Sequence, residues 1–146
     1  MSIALATIRT NIYTTLYNHL QTGTYAITSN NIHPSFNRDQ TTKEGYPQII
    51  ITKPIVETSR LTFGSANSYS VPFTVRIDLY EDSAAESKAL ADEVMNKLLS
   101  GKATLRTNGI KNLQLDEDDV DSTNFTASNT IHQYSVFVKG LFIGTI

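Results

Sequence analysis

The residues of this sequence that could do chemistry are three histidines, one Ser-Gly-Lys triplet and one run of carboxylates. His19, His33 and His132 stand far apart. None sits in a His-x-His or His-Glu-x-x-His spacing, which brings two imidazoles to one metal ion. They read as surface or interface histidines. Ser100-Gly101-Lys102-Ala103 carries a fragment of a phosphate-binding loop. It lacks the first glycine and the Ser or Thr after the lysine, and it ends a helix where such a loop begins one. Neither Gly-x-Ser-x-Gly nor Gly-x-Gly-x-x-Gly occurs. The sharpest anomaly is Asp116-Glu117-Asp118-Asp119, followed by Asp121. It can be read as an oxygen-ligated cation site, although it lacks the glycine and terminal glutamate of an EF-hand loop. It can also be a solvated acidic turn between strands, or an electrostatic surface in an assembly. Asn124-Phe125-Thr126 matches a glycosylation sequon by pattern alone. No catalytic constellation, metal site or cofactor motif emerges, so the expectation is a non-enzymatic protein with no cofactor.

Composition points the same way. The chain has 146 residues, 40% of them hydrophobic, with a formal charge of −2. That length suits a single domain, 1–146, burying roughly 70% of its unfolded surface without a disulfide or metal staple. Cysteine is absent, which removes thiolate metal sites and agrees with assembly in a reducing cytoplasm. The charge gives no broad reason to bind nucleic acid. No apolar run approaches the ~20 residues that span a bilayer, so no membrane partner is expected. Met-Ser-Ile-Ala-Leu-Ala at the start lacks the basic opening and continuous apolar core of an export signal. The 7 Tyr and 6 Phe are not interleaved with a basic stripe, as a single-strand nucleic-acid platform requires. Tyrosine instead suits core edges and interfaces.

The elements that must position these residues follow from periodicity. Leu5, Ile8, Ile12, Leu16 and Leu20 recur at spacings of three and four, predicting a helix from Ser2 to Leu20 with Arg9, Asn11 and Asn18 on its polar side. Gly23 closes it. A short strand near Tyr25 to Ile27 and a long exposed loop through Asn30 to Gly45 follow. Gln48-Ile49-Ile50-Ile51-Thr52 is a dense β-branched strand. After a turn at Gly64-Ser65-Ala66-Asn67, Val71, Phe73, Val75, Ile77 and Leu79 alternate with Pro72, Thr74, Arg76, Asp78 and Tyr80. That pattern buries one face of a strand. Together these predict a long hairpin, Ile49 to Tyr80, with Pro72 at an edge or beyond the sheet. Ser83-Ala84-Ala85-Glu86 is a capping box opening a second helix, 83–100, with Leu90, Ala91, Val94, Met95, Leu98 and Leu99 as its stripe and Gly101 at its end. Ile110, Leu113 and Leu115 mark a short strand, Phe125 an extended piece, and Ile131 to Ile143 a long final strand. Turns too short for crossover helices favour antiparallel pairing. The predicted class is α+β: an antiparallel β-sheet with a long β-hairpin and two amphipathic helices packed on one face.

This order of elements resembles the tail-terminator, or tail-completion, proteins of long-tailed bacteriophages. The resemblance rests on the opening helix Ile3 to Leu20, the run Tyr46-Pro47-Gln48-Ile49-Ile50-Ile51, and the hairpin to Leu79-Tyr80. To these add the helix Ser83 to Leu99 with Gly101, and the last strand Tyr134-Ser135-Val136-Phe137-Val138. It spans nearly the whole chain as a pattern of elements, without a signature motif; the long loop and the acidic run depart from it. The resemblance implies a virion protein assembled in the host cytoplasm as a ring, usually a hexamer. Such a ring caps the tail tube and joins the tail to the head, with DNA passing through unbound. Its partners would be copies of itself, the tail tube protein and the head-completion or connector protein. Expected contact residues are Phe36, Arg38 and Lys43 in the loop and Arg60, Phe63 and Tyr69 at the hairpin tip. Asp116, Glu117, Asp118, Asp119 and Asp121 are expected to line an acidic lumen that repels phosphate. Another neck or connector component and a small-molecule-binding α+β module are the alternatives.

Overall fold

The computed structural model describes residues 4–21, 32–34, 48–65, 67–81, 84–124 and 130–145, with residues 84, 118–124 and 130–131 described by backbone alone. The first helix, α1, spans Leu5–Gln21 and buries Ile8, Ile12, Leu16 and Leu20 completely. The fourfold spacing lines these four up on one stripe. Leu5, one turn ahead of Ile8, is 36% exposed. The second, α2, spans Ala84–Ser100 and buries Leu90, Ala91, Val94 and Leu98. Leu99, the next residue round the helix, is left exposed. Gly101 follows the end of α2 as expected, but a further helix starts directly after it. The chain bends there and continues as α3, Lys102–Thr107, anchored by the fully buried Leu105. The bend needs glycine because the His19 ring of α1 lies where a Cβ would be, close enough to place His19 Nε2 3.0 Å from the Lys97 carbonyl.

Among the described residues, seven strands form one sheet: β1 (Ile32–His33), β2 (Gln48–Ile51), β3 (Ile55–Val56), β4 (Thr62–Phe63), β5 (Ser68–Glu81), β6 (Ile110–Asn124) and β7 (Thr130–Thr145). The order is β1-β2-β5-β7-β6, with β3 and β4 also paired to β5. The α+β class holds, but the sheet is mixed: β1 runs parallel to β2, pairing Ile32 with Ile49. Ile32 lies within the stretch expected as exposed loop, yet is buried. The strand expected near Tyr25 and the extended piece at Phe125 lie outside the described residues.

The expected hairpin exists, but its first arm is broken into β2, β3 and β4, all paired with β5. Pro72 is the cause. It sits inside β5, not at an edge, and its carbonyl accepts the Glu57 amide at 2.9 Å. Proline cannot return the second bond of that pair. The Glu57 carbonyl accepts from Arg60 N–H instead, at 2.9 Å, and this bond folds Thr58–Arg60 into one 3-10 turn. The acidic run likewise is not a turn. It lies within β6, a fifteen-residue strand on the edge of the sheet, antiparallel to β7.

Alternation divides the sheet into two faces. Val71, Phe73, Val75, Ile77 and Leu79 join Val136 and Val138 under α1 and α2 in one core. At ~25 cal/mol per Å², each such side chain contributes about 1.5–3 kcal/mol. The other face carries a buried polar seam. Asp78 is 3% exposed; Ser135, opposite it in register, donates its hydroxyl at 2.8 Å, and Arg76 Nε lies 2.9 Å from the same carboxylate. Burial, then the Asp78 charge, pushes the neighbouring Tyr80 hydroxyl up to about 12, partly offset by Arg76.

Replacing Asp78 with alanine strands the Ser135 hydroxyl, and urea unfolding is expected to show a loss of about 1–3 kcal/mol. Because folding favours the neutral phenol of Tyr80, its stabilisation is complete below pH 10 and is lost as pH rises from 10 to about 12. Melts across that range should therefore fall less steeply for Tyr80→Phe than for the parent chain.

Candidate functional site

Among the described residues, those expected to make contacts do not form one patch. Phe36, Arg38 and Lys43 lie outside the described residues. Arg60 ends the 3-10 turn, exposed, and pairs with Glu57 at 3.3 Å. Such an i,i+3 pair at the surface contributes little. Phe63, in β4, is 54% exposed. Tyr69, its partner in register, is 1% exposed and is no surface residue. Gly144 faces Tyr69 across the β5–β7 ladder and leaves room for its ring, where a Cβ would overlap the phenol. The ring packs on Phe142 at 6.2 Å, and its hydroxyl accepts a 3.4 Å hydrogen bond from Asn11 of α1.

The carboxylates of β6 separate in the same way. Asp116 pairs with Phe137 and Glu117 with Val136, so they belong to opposite faces of the sheet. Both are exposed. Glu117 shares the face that carries the helices, and Asp116 the helix-free face. Asp118 and Asp119 continue the ladder opposite Ser135 and Tyr134, and Asp121 falls in a register shift between Val120 and Thr123. Four successive strand positions, 116–119, cannot present one acidic surface. The pairing alternation also turns the Glu117 amide outward, away from β7. The Asp116 carboxylate accepts that N–H at 2.9 Å. This carboxylate thereby occupies one of the open main-chain donors that an edge strand leaves to a neighbour.

The structure brings together a different set, which the sequence reading assigned to the polar side of a helix or passed over. Between α1 and the outer end of β2 lies a cleft of 320 Å³, at the small end of the range for ligand pockets. Ala6, Arg9, Thr10 and Tyr13 form one wall; Ile51, Lys53, Pro54 and Pro34 form the other. Arg9 does not extend into solvent. It is half-buried, and its Nε is buried without a hydrogen-bond partner among the described residues. An unsatisfied buried donor costs about 1–3 kcal/mol, so this atom is short of an acceptor. Lys53 is exposed on the facing wall and makes no ion pair among the described residues. The Tyr13 ring stacks on Tyr17 with centroids 6.0 Å apart. Burial and then Tyr17 raise its phenol above the ordinary value, keeping it a neutral donor at pH 7. Two cations, a hydroxyl of threonine and a phenol thus border an apolar floor, an arrangement suited to a carboxylate or another small anion. The one available signal in the sequence was that Arg9 is the sole arginine or lysine in α1.

No protein-family model matches the chain, and no curated protein matches it.

Arg9→Met keeps the length of the stem and removes the stranded donor. In the isolated chain it is expected to raise stability by about 1 kcal/mol in urea unfolding. A loss of similar size would mean that the guanidinium already has an acceptor.

Proposed function

We propose that the chain is a structural virion subunit: a ring of identical copies that caps a bacteriophage tail tube and joins the tail to the head. The observation that carries this reading is a pair of exposed apolar side chains on the broken edge of the sheet, one on each face. Ile55 in β3 is 69% exposed and Phe63 in β4 is 54% exposed. Both stand on two-residue strands that, among the described residues, pair only to β5. Large apolar side chains beside open main-chain groups are what a sheet presents to a partner. The opposite edge, β6, is long and acidic, so the two edges differ in chemistry. A contact between unlike edges is head-to-tail, and repeated with the right rotation it closes a ring. The order of helix, hairpin, helix and final strands is the one on which the resemblance to tail-terminator proteins rests. In this reading the helix-free side of β6, with Asp116, borders the passage for DNA. Carboxylates there repel phosphate and keep transit from stalling.

Light scattering on the purified full chain should give a mass several times that of the protomer. Negative-stain images should show rings, and added tail tubes should carry them at one end. A chain that stays monomeric at every concentration and never binds tubes would overturn the proposal.

A further inference from the structure

The geometry points to the Arg9–Lys53 cleft as the socket for Glu117 of the neighbouring copy, an inference that rests on the ring reading. The cleft holds a buried Arg9 Nε without an acceptor and an exposed Lys53 without an ion pair among the described residues. A site with two uncompensated cations recruits a carboxylate, and arginine takes one in a two-pronged, charge-assisted bond. Glu117 is an exposed carboxylate on the outermost strand, β6. It lies on the helix-bearing face, in register with Val136, and that is the face on which α1 forms the cleft wall. Socket and carboxylate therefore occupy the same face at opposite edges of the sheet. Within one molecule they are separated by β5 and β7. Between two copies side by side they come to the same seam, as a heterologous contact requires.

The partition of the acidic strand supplies the internal control. Asp116 is next in sequence and equally charged, but belongs to the other face. A diffuse attraction between an acidic strand and a basic cleft would use both residues; the socket uses only Glu117. Thr10 and the neutral Tyr13 phenol stand in the same wall to donate to the incoming carboxylate.

The test is charge exchange in the full chain, read as oligomer mass across a dilution series. Arg9→Glu, Lys53→Glu and Glu117→Arg are each expected to raise the concentration needed for assembly at least tenfold. The pair Arg9→Glu with Glu117→Arg should restore it, and Asp116→Asn should leave it unchanged. Circular dichroism melts establish that each variant folds; Lys53, being exposed, supplies a variant that misfolding cannot confound. Single variants that assemble like the parent, or an exchanged pair that fails to recover, overturn the socket while leaving the ring standing. Equal loss with Asp116→Asn also overturns it, in favour of diffuse attraction. A parent chain that is monomeric throughout, tubes included, removes the ring itself.

Discussion

Fourteen consecutive residues of β5, from Ser68 to Glu81, pair with β7 without a break in register, and nearly every other placement in the molecule is a consequence of that ladder. Because successive strand residues point to opposite sides, an unbroken register commits each one to a face. Val71 through Leu79 go under the helices at every second position, and Asp78 and Tyr80 go to the polar seam. The same register is passed through β7 to β6, so it also decides that Glu117 and Asp116 part company. Where the ladder carries glycine, an aromatic ring crosses over it: Tyr69 over Gly144 and Phe73 beside Gly140. These rings cover main chain that glycine would otherwise leave bare.

The two long amphipathic helices and the alternating strand were legible because their signals are periodic and lie within one stretch of chain. Pro72 was readable as a constraint but not in its outcome. Its missing donor was taken to mark an edge, whereas the structure turns that donor toward the broken side of β5 and gives the Glu57 carbonyl to Arg60. The acidic run was misjudged as a turn because carboxylates are rare in strands. Pairing with the apolar β7 overrides that preference. Gly101 was legible as the end of α2; only the approach of His19, 82 positions earlier in the numbering, shows why the position admits no side chain. Contacts of that separation leave no local trace.

Tyr69 and Arg9 exchanged roles for related reasons. An aromatic beside a turn suggests surface, and a lone arginine opposite an apolar stripe suggests solvent. Both inferences assume that the flank of an element is open. The ring found room over a glycine in the next strand, and the guanidinium met the end of β2. Core residues follow from pattern, whereas a site assembled from α1 and the end of β2 depends on how far apart two elements come to rest. The unmatched donor of Arg9 is a local conflict in an otherwise consistent chain, the kind that tends to accompany function.

The single proline in β5 has a further consequence for motion. By handing one carbonyl to the 3-10 turn, it parts β3 from β4 in an arm that comes as segments of four, two and two residues. Each is held by few ladder bonds, while β5 remains clamped along its whole length by β7. The short segments can therefore open singly, exchanging their amide hydrogens through small excursions that leave the core folded. Ile55 and Phe63 ride on those segments, so the apolar edge is compliant where the acidic edge, built on one continuous strand, is stiff.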